Sequence, residues 1–228
     1  MTKHIGIVAG SAEGAALCYR TICLEAQEFL SEHNHPEVTM NSIPMARHMA
    51  AVRADDWETV ADLMLASVEK AANAGADFAI CPDNTFHQAF EFLIPRSPIP
   101  WLHIARVVGE KASESGFKKL GILGTKYLAE GPVYPSQLQD FGIEREIPDE
   151  VDRIRINDII FKELVNGIFL ESSRAYFNEV TEKLKTRGCD AVVLGCTEIP
   201  LIVRPGDCPL PTLDSTRLLA RAAIKKAI

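Results

Sequence analysis

The chain has 228 residues, 47% of them hydrophobic and 24% charged, with a formal net charge of −7. That length and apolar content suffice for a sizeable buried core, and the acidic balance without a Lys/Arg block argues against a nucleic-acid binder. No apolar run reaches the roughly 20 residues that span a bilayer, so a protein without membrane association, located in the cytoplasm, is expected.

In chain order, strands are predicted near 3–9, 37–43, 77–81, 119–123, 142–147 and 190–194, with short ones near 100–102 and 210–212. Helices are predicted near 13–32, 57–74, 85–93, 103–115, 154–167, 170–187 and 214–227. Residues 44–56 read as a mobile connection. Alternating strands and helices imply parallel sheets with crossover helices, an α/β fold. Four pairs of residues are each 113 positions apart: Gly75 with Gly188, Asp77 with Asp190, Asp83 with Cys196, and Asn84 with Thr197. Between the first and last of these lie matched apolar runs, Phe78–Cys81 and Ala191–Leu194. Ile5-Gly6-Ile7-Val8-Ala9-Gly10-Ser11 is likewise echoed by Leu120-Gly121-Ile122-Leu123-Gly124-Thr125, and Pro98–His103 by Pro209–Asp214. Self-similarity at nearly one offset in three segments predicts two pseudosymmetric α/β lobes. The expected lobes are 1–100 with 209–228, and 101–208. Ligands of open parallel sheets sit beyond the carboxyl ends of the strands, which places Ser11, Asp83, Thr125 and Cys196 in one cleft between the lobes as an expectation.

Gly195-Cys196-Thr197-Glu198-Ile199, Asn84-Thr85-Phe86-His87, Ile5–Gly10, Ile156–Leu164 and Leu213-Asp214-Ser215-Thr216 together resemble the aspartate/glutamate racemase family, across nearly the whole chain. The Cys-Thr-Glu form resembles its aspartate or broad amino-acid branch. The resemblance implies a cofactor-independent, PLP-independent amino-acid racemase, a small amino-acid or dicarboxylate substrate, and a homodimer.

Racemisation removes the α-proton from one face of a carbon and returns a proton to the other, so two acid/base groups must flank the substrate. In the family both are usually cysteines. Here Asp83 precedes Asn84-Thr85, and Cys81 stands two residues earlier, about 6–7 Å along an extended segment. The internal register pairs Asp83 with Cys196, and Cys81 with Leu194. Asp83 and Cys196 are therefore the expected catalytic pair, with Cys81 in the strand core. Their side chains ordinarily ionise about four to five pH units apart, which predicts unequal rates in the two directions. A single-base lyase, decarboxylase or cis-trans isomerase on the same scaffold remains the alternative, and a non-catalytic dicarboxylate binder a third.

Ser11, Asn84, Thr85, Thr125 and Thr197 fall at strand ends or helix starts, where they could donate to a substrate carboxylate or simply cap helices. Arg47 and Lys162 occupy nearly equivalent points of the two halves and are candidate ligands for an anionic substrate side chain, with His48 and Arg53 behind them; either could instead be a solvated charge. Glu198 could orient or proton-tune the thiol of Cys196, or act as an ordinary first-turn acid. His87 reads as a residue that locks its loop. Cys81, Asp83 and His87 are not read as metal ligands, because no second cluster with ligand spacing supports them. Gly6 and Gly10 do not have dinucleotide-loop spacing. The expectation is neither metal nor cofactor, with the six cysteines as free thiols.

Overall fold

A computed structural model describes residues 2–228. Among the described residues the strands are β1 (Ile5–Ala9), β2 (Val38–Ser42), β3 (Phe78–Ile80), β4 (Lys119–Leu123), β5 (Glu144–Glu146), β6 (Ala191–Leu194) and β7 (Thr212–Asp214). The α-helices are α1 (Ala12–Glu25), α2 (Met45–Arg53), α3 (Trp57–Asn73), α4 (Phe90–Leu93), α5 (Ile104–Glu114), α6 (Lys126–Glu130), α7 (Val133–Leu138), α8 (Glu150–Lys162), α9 (Glu171–Thr186), α10 (Ile199–Ile202) and α11 (Ser215–Ala227). No helix among the described residues is long and apolar enough to cross a membrane.

The chain divides into two compact units. The first runs to Ile104 and includes Thr216–Ile228, and the second is Ala105–Ser215. In the first unit the sheet order is β2-β1-β3, all parallel, with Ile7 between Met40 and Ile80. Beyond β3 the chain adds only an isolated parallel bridge, Ala79 to Trp101, where a short strand near 100–102 was expected. In the second unit the order is β5-β4-β6-β7, again all parallel. Element for element the two sheets follow one plan, with Trp101 standing where β7 stands in the other. Residues 212–214 belong to the second sheet through their pairing with β6, so the return to the first unit begins at Thr216 rather than at 209.

Local sequence explains the main elements. β1, β3 and β6 are buried along their whole length, as apolar strands covered on both faces must be. α3 buries Val60, Ala61, Met64, Val68 and Ala71 at helical spacing, and Asp56 caps it by accepting from the Thr59 N–H at 3.0 Å. α8 is capped by Asp149, whose carboxylate accepts from the Asp152 N–H at 3.0 Å. The core of the second unit joins Leu123 of β4, Ile156 and Ile159 of α8, Phe177 and Leu184 of α9, and Val192 of β6. Fully burying one such side chain stabilises by roughly 1.5–3 kcal/mol.

Three departures from the sequence reading have local causes. α1 ends at Glu25 and passes through a single 3-10 turn, Ala26–Glu28, rather than running to 32; the following segment, with Gly-free turns at Ser31–Asn34 and a positive φ of 61° at His33, cannot continue a helix. Residues 45–53, expected to be a mobile connection, form α2, consistent with their helix-favouring Met-Ala-Arg composition after Pro44. The stretch after Asp83 is 3-10 over Asn84–Ala89 before α4 begins.

Candidate active site

The first candidate site lies where β1 and β3 end side by side. β2 and β3 flank β1 on opposite sides, so the connections leave β1 and β3 in opposite directions, opening the kind of crevice in which open parallel sheets bind ligands. Gly10 follows β1, and its N–H donates to Asp83 Oδ2 at 2.9 Å. A Cβ at Gly10 would fall 2.4 Å from Phe86 Cε2 and 2.8 Å from Asp83 Oδ2. Glycine there is what lets the carboxylate and the Phe86 ring close onto the strand end. Ser11 Oγ caps α1 by accepting from the Gly14 N–H at 3.3 Å, so its oxygen serves the helix.

Cys81 is fully buried, and its Sγ faces the Asp83 carbonyl at 3.8 Å. Burial, reinforced by the nearby Asp83 charge, pushes its thiol well above the ordinary range. A thiol so held is a poor proton carrier, in keeping with its reading as strand core. Asp83 is partly exposed while Asn84 is buried and Thr85 partly so. His87 Nε2 lies 2.9 Å from the Cys81 carbonyl. Burial, and then the neighbouring His103, drive the His87 imidazole well below its ordinary pKa and keep it neutral.

A contact that the sequence did not reveal lies beside this loop. His48 of α2 stacks on Phe86, with ring centroids 4.5 Å apart and an interplanar angle of 16°. It is 1% exposed, and neither ring nitrogen finds a hydrogen-bond partner. Burial lowers its pKa to about 4; the adjacent Arg47 charge adds to the shift, and the Pro44 backbone opposes it. Only the Asn-Thr-Phe-His motif, together with a helix at 45–53, could have hinted at an aromatic neighbour here.

The second candidate site repeats the plan at the ends of β4 and β6. Thr125 Oγ1 caps α6 by accepting from the Leu128 N–H at 3.3 Å, as Ser11 does for α1. The Gly195 N–H donates to the Leu123 carbonyl at 2.7 Å. A Cβ at Gly195 would lie 2.6 Å from Leu128 Cδ2 and 2.9 Å from that same carbonyl oxygen. Beyond the glycine, Cys196 Sγ donates to Glu198 Oε2 at 3.0 Å, and Thr197 Oγ1 donates to the same oxygen at 2.7 Å. Glu198 is 2% exposed and its side chain does not cap α10, which begins one residue later. The carboxylate therefore accepts from the thiol and its neighbour rather than from the helix N-terminus. Behind Cys196, Ser215 Oγ donates to the Leu194 carbonyl at 2.8 Å. The phenol of the fully buried Tyr134 is pushed up by burial, a shift that its hydrogen bond to Ser215 opposes.

The basic candidates divide. Arg47 is exposed on α2 and joins no ion pair among the described residues. Lys162 is exposed at the end of α8 and pairs with Asp158 at 2.8 Å, an i,i+4 surface contact worth little. Arg53 closes α2.

Comparison with known proteins places this arrangement. The family described as Asp/Glu/Hydantoin racemase matches residues 8–223. A crystal structure from Yersinia pestis, provisionally described as an Asp/Glu racemase, is 31% identical and superposes with a TM-score of 0.88 over 99% of both chains. An aspartate racemase homologue from Pyrococcus horikoshii OT3 is 27% identical, with a TM-score of 0.84 over 100% of this chain and 99% of that one. The broad specificity amino-acid racemase RacX of Bacillus subtilis (strain 168) is 22% identical over 84% of this chain and 82% of its own. With a duplicated parallel α/β unit, matching strand-end motifs and a family match over nearly its full length, the chain belongs to the Asp/Glu/hydantoin racemase family.

Proposed function

We propose that this protein is a cofactor-independent amino-acid racemase acting on aspartate, glutamate or a related amino acid, with Asp83 and Cys196 on opposite faces of the substrate Cα. The observation that carries the reading is the equivalence of the two strand ends. Each places a proton-carrying side chain just past the third strand of its plan: Asp83 after β3, bound to the Gly10 N–H at the end of β1, and Cys196 after β6, bound to Glu198. Cys81, the only other thiol near the first strand end in sequence, is shut in the core.

In one direction the Asp83 carboxylate removes the α-proton and becomes a carboxylic acid, while the planar carbanion takes a proton from the Cys196 thiol on its other face. Cys196 is left as thiolate, and a proton must pass from Asp83 back to the sulfur to reset the pair. In the reverse direction the thiolate abstracts and protonated Asp83 donates. Starting from the resting pair, Glu198, already the acceptor of the Cys196 S–H, would take the thiol proton to form that thiolate and later release it to solvent, while solvent supplies the proton that Asp83 donates. Arg47, Asn84, Thr85 and Thr197 are the proposed substrate contacts, with Ser11 and Thr125 contributing through the helix starts that they cap. Lys162 would serve only by exchanging Asp158 for the substrate.

The test is incubation with single enantiomers of aspartate, glutamate and the other amino acids in heavy water, following optical rotation and α-deuteration together. Deuterium gain with loss of rotation supports the racemase. Release of carbon dioxide, ammonia or a geometric isomer without racemisation would instead select the single-base lyase, decarboxylase or isomerase, which the replacement of the usual first cysteine by Asp83 favours. Glu198→Gln keeps the side chain's shape but cannot take a proton. It should slow the direction that begins on the Cys196 face by about 10²-fold, and the other direction less.

A further inference from the structure

Cys81 and Leu194 are 113 residues apart, the same separation as Asp83 and Cys196, and each stands two residues ahead of its proposed acid/base group. The carbonyl of each accepts a buried side-chain hydrogen bond. At Leu194 the donor is the Ser215 hydroxyl at 2.8 Å, and at Cys81 it is the imidazole of His87 at 2.9 Å. A carbonyl can only accept, so His87 carries its proton on Nε2. Nδ1 is then a bare lone pair, and it has no hydrogen-bond partner. The ring cannot turn to relieve this. It stacks on Phe90 with centroids 4.2 Å apart and meets the edge of His103 at 4.6 Å.

An apolar ring would fill this aromatic site without leaving a buried nitrogen unpaired, which costs free energy. What only the imidazole brings is the Nε2–H aimed at the Cys81 carbonyl. From that carbonyl the chain runs through buried Pro82 to Asp83, whose φ of −81° and ψ of 103° keep it extended and direct its Oδ2 to the Gly10 N–H. We infer that His87 is a positioning residue for Asp83, pinning the Cys81 carbonyl and so holding the carboxylate against Gly10. The functional consequence rests on the reading of Asp83 as an acid/base group, whereas the positioning itself does not.

The two can be told apart. The Gly10 amide proton reports the bond to Asp83 directly, through its chemical shift and its hydrogen-exchange protection, with no substrate present. His87→Phe should move that proton upfield, lower its protection by about tenfold or more, and reduce kcat for α-proton exchange by about 10- to 100-fold with KM within about twofold. His87→Gln, which restores an N–H donor at the same reach, should recover the Gly10 signal and most of kcat. An unchanged Gly10 amide in His87→Phe, or a Gln variant that folds and yet recovers neither readout, overturns the proposal. Should the Phe variant fail to fold, nitrogen-15 spectra of the intact protein decide: the Nε2–H tautomer is required, and an Nδ1–H tautomer overturns it. If Asp83→Asn keeps full activity while His87→Phe still displaces the Gly10 amide, the acid/base role falls and the positioning role stands.

Discussion

The two strand ends solve one geometric problem with different chemistry. At the first, a carboxylate is held by a backbone N–H, and the loop behind it is pinned by an imidazole. At the second, a thiol donates to a buried carboxylate, and the strand behind it is pinned by a hydroxyl. In both units a glycine follows a central strand, Gly10 after β1 and Gly124 after β4, and the next residue, Ser11 or Thr125, caps the helix that begins there. The two units thus share the places where side chains are held but differ in the groups that occupy them. If Asp83 and Cys196 are the acid/base pair proposed above, kcat should differ between the two enantiomers, with KM differing in proportion because racemisation has an equilibrium constant of one, since the two groups ordinarily ionise about four to five pH units apart.

The sharpest way to break the comparison is to remove either acid. Asp83→Asn and Cys196→Ser should each lower racemisation by about 10²–10⁴-fold, measured as α-deuterium incorporation from both enantiomers. Asp83→Cys makes the pair alike, and the ratio of forward to reverse initial rates should move toward one. Next come the glycines. Gly195→Ala sets a Cβ against a backbone carbonyl at 2.9 Å, which cannot swing aside, whereas Gly10→Ala meets the Phe86 and Asp83 side chains. Both should destabilise within roughly 1–3 kcal/mol, Gly195→Ala toward the upper end. Gly10→Ala should lose more activity than stability because it displaces Asp83, a split that denaturation midpoints and kcat together reveal.

A smaller effect separates the two units by pH. His48 is held near a pKa of about 4 by burial, below its ordinary 6.5. Below about pH 6.5 the unfolded chain binds a proton at this position that the folded chain refuses until about pH 4. Stability should therefore fall as pH drops through that window, by on the order of 2 kcal/mol for this residue. His48→Phe keeps the stack on Phe86 and should flatten that part of a urea-midpoint profile between pH 7 and 4; an unaltered profile would show that the imidazole is not held neutral. Least affected should be Lys162→Ala. If its pair with Asp158 is only a surface contact, stability changes by less than about 0.5 kcal/mol and activity not at all. A rise in KM for dicarboxylic amino acids alone would return Lys162 to the substrate.

Much of this molecule was legible before any coordinates. β1, β3 and β6 lie where apolar runs predict them, because a strand buried on both faces must be apolar throughout, and the more polar edge strands β2 and β5 fall within their expected ranges. The constant offset of 113 residues announced the paired sheets and matched Asp83 to Cys196. The placement of Cys81 in the core followed from the same register. Less legible were α2 and the short helices after β4, since elements of five to nine residues carry little periodicity. Illegible were the stack of His48 on Phe86 and the Gly10–Asp83 bond across 73 positions, and the sequence left open which of two roles Glu198 takes.

The amino-acid order determined which groups stand at the strand ends, because local burial pattern and repeat register are properties of neighbouring residues. Which atom each of those groups holds was decided only by tertiary structure. A hydrogen bond needs two partners within about 3 Å, and β1 and β3, far apart in the chain, come that close only after the sheet has paired.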